Sequence, residues 1–196
     1  MENTLLNASK LNRGVITYLK TNMGILIAFA VLYLFLAINP ATSAAFLTRQ
    51  NMFNVLRQIS TNLYLACGMT MVIILGGIDL SVGSIIALSG CVAAACVSRH
   101  GMPIPCALLV GILIGVFFGM VNGTIIAKTT IPPFIVTLAT MNVARGFAYV
   151  YTSGSPVRVV TKEWQFVGAG YIGPIPTPVI ILAIVLIVTG LLMNNT

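Results

Sequence analysis

The string Gly76-Gly77-Ile78-Asp79-Leu80-Ser81-Val82-Gly83-Ser84 places two glycines, an acid and two serines in the middle of a strongly apolar chain. Irregular backbone at such a place is tolerated in a membrane only where it is buried in protein or faces water. Asp79 or Ser81 can cap the helix that follows, because either oxygen can accept from the free NH groups of a first turn and a carboxylate suits the positive end of the helix dipole. The same break, formed by Gly76, Gly77, Asp79, Ser81 and Gly83, can instead serve as a hinge or a pathway element, since intramembrane acids are rare. Further along, Asn142, Arg145 and Tyr149 fall within an arc of about 60° when each residue of a helix advances by about 100°. An arginine facing lipid is costly, so Arg145 is expected to face a partner helix, a cavity or the outer interface, to which it can snorkel. Snorkelling or structural pairing and a part in translocation both fit. Asp79 and Arg145 are not expected to pair, because Arg145 stands about 18 Å along its helix from the end at which Asp79 lies.

Catalytic chemistry has little to work with. His100 is the one histidine and lies in a polar turn, and Asp79 is the one acid near an apolar stretch. No H-E-x-x-H and no carboxylate pair occurs. The cysteines, Cys67, Cys91, Cys96 and Cys106, lie in or beside apolar segments without C-x-x-C spacing, so neither a metal site nor a disulfide framework is expected. No catalytic residue, no metal and no cofactor is therefore assigned to this chain.

The elements that must position these residues follow from composition. Of the 196 residues, 58% are hydrophobic and 7% charged, and ten Lys and Arg with three acids are too few to cover a soluble globule of this length. Mean hydropathy is +1.04. The net charge of +7 is scattered at segment ends rather than gathered on one face, which suits anionic lipid headgroups and argues against nucleic acid. Hydropathy windows predict spans near 23–39, 59–76, 82–97, 104–127, 133–151 and 178–193. The fold class is thus all-α, a polytopic transmembrane bundle of about six spans. The prolines fall outside these spans or in their first turns, with Pro132 and Pro133 reading as a start signal. Residues 46–60 read either as an interfacial helix or as a polar start to the second span.

Lys10, Arg13 and Lys20 give the tail a slight basic excess, which places residues 1–22 in the cytoplasm and residues 23–196 in one transmembrane domain. The first apolar run is read as a retained anchor rather than a cleavable signal. The turn at Lys128 then lies inside and the 152–177 loop outside, where Trp164 can rest at the interface. Gly111, Gly115, Gly119 and Gly123 recur every fourth residue, a small-residue stripe suited to close helix packing. Gly83, Ala87, Cys91 and Ala95 form a similar series, and the chain has no internal repeat.

At these residues the sequence resembles the membrane permease subunits of ribose-type ABC sugar importers, within the branched-chain amino acid and monosaccharide permease superfamily. The matching strings are Asn54-Val55-Leu56-Arg57-Gln58, Gly76 to Ser84, Asn122-Gly123, Ile131-Pro132-Pro133-Phe134-Ile135-Val136-Thr137-Leu138, Ala144-Arg145-Gly146 and Thr152-Ser153-Gly154-Ser155-Pro156. The resemblance implies a multi-pass bacterial inner-membrane subunit that translocates a ribose-like monosaccharide. It implies a cytoplasmic ATP-binding subunit that uses the ATP, an extracytoplasmic sugar-binding protein and a second permease subunit, as a homodimer. It assigns Asp79 and its glycines to the family's break and Asn142 and Arg145 to its fifth-span motif. The chain stops at Met193-Asn194-Asn195-Thr196, before the coupling loop and later helices of that family, so it resembles the front part of a permease. A small ion-coupled secondary transporter or channel, and a truncated permease without function, are the competing readings. An ion-driven carrier commonly sets several ionisable or broken-helix elements near the midplane, whereas this chain has one of each.

Overall fold

A computed structural model describes Thr17 and residues 19–159 and 161–194. Lys10 and Arg13, on which the tail's orientation rests, lie outside these residues, as do Asn195 and Thr196. The all-α expectation holds. In chain order the helices are α1 (Met23–Ile38), α2 (Ser43–Phe46), α3 (Arg49–Ile74), α4 (Val82–Ser98), α5 (Ile104–Lys128), α6 (Pro133–Thr152), α7 (Lys162–Ala169) and α8 (Thr177–Asn194). Between α7 and α8, β1 (Tyr171–Ile172) and β2 (Ile175–Pro176) form an antiparallel hairpin.

The six long helices fall on the six predicted spans. The second differs: α3 runs unbroken from Arg49, so residues 49–60 supply its polar start rather than a separate interfacial helix, while Phe46 ends α2. No proline and a single glycine, Gly68, lie between Arg49 and Ile74, and the preceding Thr48 side chain accepts from the Asn51 NH at 3.2 Å. By length and composition α5 and α8 can cross a membrane, while the apolar α1 and α4 are shorter. Helix α1 buries no residue.

The chain divides into two compact units, residues 1–55 and 56–196, where the sequence reading placed a boundary after residue 22. In the first, Tyr33 of α1 meets Phe46 of α2 edge to face at 5.1 Å. In the second, α4, α5 and α6 pack around Leu88, Phe118 and Ala144, with Ile85, Val92, Ile114 and Ala148 at the margin. The residues α5 turns inward, Ala107, Gly111, Ile114, Phe118 and Asn122, recur every three or four positions, one stripe of a 3.6-residue helix. A second cluster, Cys96, Val97 and Ala107, closes the α4–α5 turn, and Trp164 of α7 packs against it. The tryptophan therefore covers the end of the helix pair.

Candidate functional site

The break between α3 and α4 begins where α3 is made to stop. Gly76 takes φ +77°, a left-handed conformation that glycine adopts without a steric penalty. The Gly77 NH then reaches back to Val72 O at 3.0 Å, the six-to-one bond of a Schellman stop. Gly77 also lies close to another element: a Cβ there would sit 3.5 Å from Pro133 Cβ at the start of α6. The break and the α5–α6 turn accordingly share one end of the helix set, as the predicted topology requires.

Beyond the stop, the backbone is held by side chains from two helices. Thr137 of α6 accepts from the Leu80 NH at 3.1 Å, and its own hydroxyl lies 3.2 Å from Ile78 O. Asp79 does not cap α4. Its Oδ1 accepts from the Ser81 NH at 2.7 Å and from the Ser81 hydroxyl at 2.6 Å, and Ser81, at the N-cap position, makes no side-chain cap bond. The Ser81 oxygen in turn accepts from Asn122 Nδ2 of α5 at 3.2 Å, and Asn122 Oδ1 accepts from the Thr140 hydroxyl of α6 at 2.5 Å.

These bonds have one direction. A carboxylate only accepts, so the Ser81 proton points to it, the Ser81 lone pair receives the Asn122 amide, and the amide oxygen receives Thr140. Bonds aligned this way polarise one another, and the buried setting strengthens each electrostatically. Ser81 is fully buried, and Asn122 and Thr140 are buried. One turn along α4, the buried Ser84 hydroxyl has no hydrogen-bond partner.

Asp79, Gly119, Asn122, Gly123, Pro133 and Thr137 are among the residues lining a cleft of about 380 Å³ at this end. The glycine stripe of α5 is thus used unevenly. A Cβ on Gly111 would meet Ala93 Cβ at 3.4 Å and Ser89 O at 3.5 Å on α4, whereas Gly115, Gly119 and Gly123 face open space. Gly83 likewise has nothing within reach of a Cβ, and nothing in the structure explains a glycine there.

Asn142 and Arg145 are not brought to the break. Both are exposed, and Asn142 Nδ2 donates to Leu138 O of its own helix at 2.9 Å. Helix α6 turns Thr137, Thr140 and Ala144 inward, and Arg145 is about 140° around the helix from Thr140. Asp79 makes no ion pair with Arg145. In the sequence Asn122 and Thr137 stand out only as parts of the family-like strings, and Thr140 is not marked at all. The i, i+3 spacing of Thr137 and Thr140 in an apolar helix was the available signal.

The second end of this unit carries another long-range tie. The Arg57 guanidinium of α3 donates to the Tyr171 hydroxyl of the hairpin and lies 4.9 Å from its ring centroid. Tyr64 of α3 donates its hydroxyl to Pro178 O at the start of α8.

Comparison with known proteins gives this arrangement its context. The family model for the branched-chain amino acid transport system / permease component matches residues 51–196. The chain belongs to this permease family. It is 39% identical to the ribose import permease RbsC of Haemophilus influenzae over 86% of its own length and 53% of that protein, and 41% identical to the Escherichia coli K12 ribose import permease over 87% and 53%. It is 40% identical to the xylose transport system permease XylH of H. influenzae over 76% of its length and 40% of that protein. The chain spans about half the length of the ribose permeases it matches. No solved structure matches it. The matched permease segment includes the whole break, α5 and α6, so every member of the Thr140–Asn122–Ser81–Asp79 relay lies inside it.

Proposed function

We propose that this chain is a membrane-spanning permease subunit of an ABC importer that moves a ribose-like monosaccharide into the cell, driven by a separate cytoplasmic ATP-binding subunit. The reading is supported most by its identity of about 40% to ribose import permeases across nearly all of its length. The geometry is compatible with a transport role: a broken helix is pinned by neutral hydroxyl and amide groups beside an open cleft, and a neutral sugar needs only transient hydrogen bonds of that kind. The partners in this proposal are the ATPase, an extracytoplasmic sugar-binding protein and a second permease copy. The location is the bacterial inner membrane, with the break and the Lys128 turn on the cytoplasmic side. Asp79 with its glycines belongs to the translocation element, and Asn142 and Arg145, on the exposed face of α6, belong to a surface that another transmembrane element covers. The chain itself carries out no catalysis and binds no ATP.

Uptake of labelled ribose in cells carrying and lacking the gene tests this. Loss of uptake on deletion, restored by the gene in trans, is the expected result. Unchanged uptake in a strain without other ribose carriers would reject the reading. Asp79→Ala is expected to lower uptake more than it lowers membrane abundance, and an equal fall in both would leave Asp79 a purely structural anchor.

A further inference from the structure

The unit formed by residues 1–55 holds a second cleft, of about 240 Å³, between α1, α2 and the first turns of α3. Phe29, Leu32 and Leu36 line it from one stripe of α1, with Phe46 of α2 and Met52 and Val55 of α3. Its polar atoms are few. Asn51 spends its amide on Phe46 O at 2.9 Å, and Tyr33 sets its ring edge to face against Phe46. Phe29, Leu32, Met52 and Val55 stay exposed, so this unit leaves the apolar lining open. The end at which α3 starts carries a cation. Arg49 is exposed one turn before Met52, lies 5.3 Å from the Phe53 ring centroid and has no ion pair among the described residues. No acid occurs between residues 19 and 55.

Volume and charge together select the occupant. The space is smaller than the roughly 300–1,000 Å³ of a small-molecule site. One turn of a helix about 10–12 Å across and about 5.4 Å high fills more than about 400 Å³, so a transmembrane helix can cover this cleft but cannot enter it. A hydrocarbon chain is thin enough and brings no polar group to be left unpaired against leucines and rings. A guanidinium beside it suits a phosphate, to which it can donate two parallel bonds. An ethanolamine ammonium would find no carboxylate in this unit, so a headgroup of net negative charge fits better. We propose that the cleft binds an anionic phospholipid, with one acyl chain laid between α1 and α3 and the phosphate on Arg49. The site does not depend on which solute the chain transports.

Native mass spectrometry of the full chain released from detergent tests this, with phosphatidylglycerol and phosphatidylethanolamine of the same acyl chains titrated separately. One phosphatidylglycerol is expected to bind ahead of all others and more tightly than phosphatidylethanolamine. Arg49→Gln should weaken that first binding about tenfold, the loss of one charge-assisted hydrogen bond. Lys128→Gln, which removes a cation from the last turn of α5, should leave it unchanged. Leu36→Trp fills the cleft and should weaken the first binding of either lipid, whereas Ile25→Trp, exposed on α1 outside the cleft, should not. Helicity is read on each variant by circular dichroism, and Val55→Phe fills the cleft from α3 should Leu36→Trp unfold. Equal affinity for the two lipids, or an equal fall with Lys128→Gln, overturns the headgroup site. Lipid binding indifferent to both filling variants overturns the acyl-chain site. A dimer that these variants abolish while lipid binding stays unchanged makes the cleft an interface between copies of the chain instead.

Discussion

Asn122 donates from Nδ2 to the Ser81 hydroxyl at 3.2 Å, across 41 residues of chain, and so ties the middle packed helix to the irregular segment ahead of α4. Both ends of the amide are used, since Oδ1 accepts from Thr140. The break is therefore held by α5 and α6 together.

Removing that amide leaves a hydroxyl without its acceptor and another without its donor in a buried place. Asn122→Ala is expected to cost about 1–3 kcal/mol, read as a lowered unfolding midpoint in detergent. A midpoint equal to wild type would mean that water or a neighbour replaces the amide at no cost.

The two buried serines of this region should respond in opposite senses. Ser81 makes three bonds, to Asp79 twice and to Asn122, whereas Ser84 Oγ is buried without a partner. Ser84→Ala is expected to be neutral or stabilising, and Ser81→Ala destabilising by about 1–3 kcal/mol. Parallel unfolding curves for the two variants decide it, and equal losses would contradict the assigned bonding.

Glycines one turn apart on α5 should tolerate side chains differently. Gly111 faces α4 at ordinary contact distance, so Gly111→Ala fits and Gly111→Leu forces the helices apart, at about 1–3 kcal/mol. Gly115 faces open space, and Gly115→Leu should leave the unfolding midpoint of the chain unchanged. A loss at Gly115 as large as that at Gly111 would refute the α4–α5 packing described.

At the hairpin, Tyr171 offers Arg57 both a ring face and a hydroxyl. Tyr171→Phe should lose the hydrogen bond and keep the cation–π contact. Tyr171→Ala should lose both, with an Arg57 coupling energy of about 0.5–2 kcal/mol in a double-mutant cycle. Additive effects of Arg57→Ala and Tyr171→Ala would dissolve the pair.

Much of this architecture is legible in the chain. The apolar runs place five of the six long helices within a residue or two at both ends, and Gly76, Pro103, Pro132 and Pro133 mark the end of α3 and the starts of α5 and α6, because a glycine suits a helix stop and a helix start accepts proline. The start of α3 is harder to read, since Arg49 and Gln50 are polar yet good helix formers and the Thr48 hydroxyl accepts from the Asn51 NH, which lets the helix begin ahead of the apolar run. The site was legible in part. Asp79, Ser81 and the glycines stand out as polar or small residues in an apolar chain. Their partners Thr137 and Thr140 do not, because which face of α6 turns inward depends on the helices beside it. The same face choice leaves Arg145 outside, and among the described residues Gly111 alone of the α5 glycine stripe packs closely, against Ala93 and Ser89 of α4.

The central proposal is that this polypeptide serves an importer that moves a sugar at the expense of ATP hydrolysed by a partner. The most direct measurement is uptake of labelled ribose by cells expressing it, with the ATP-binding subunit inactivated in one arm and an ionophore added at maintained ATP in the other. The account predicts that uptake disappears in the first arm and persists in the second. Uptake that survives loss of the ATPase and collapses with the ionophore would contradict it and make the chain part of an ion-driven carrier.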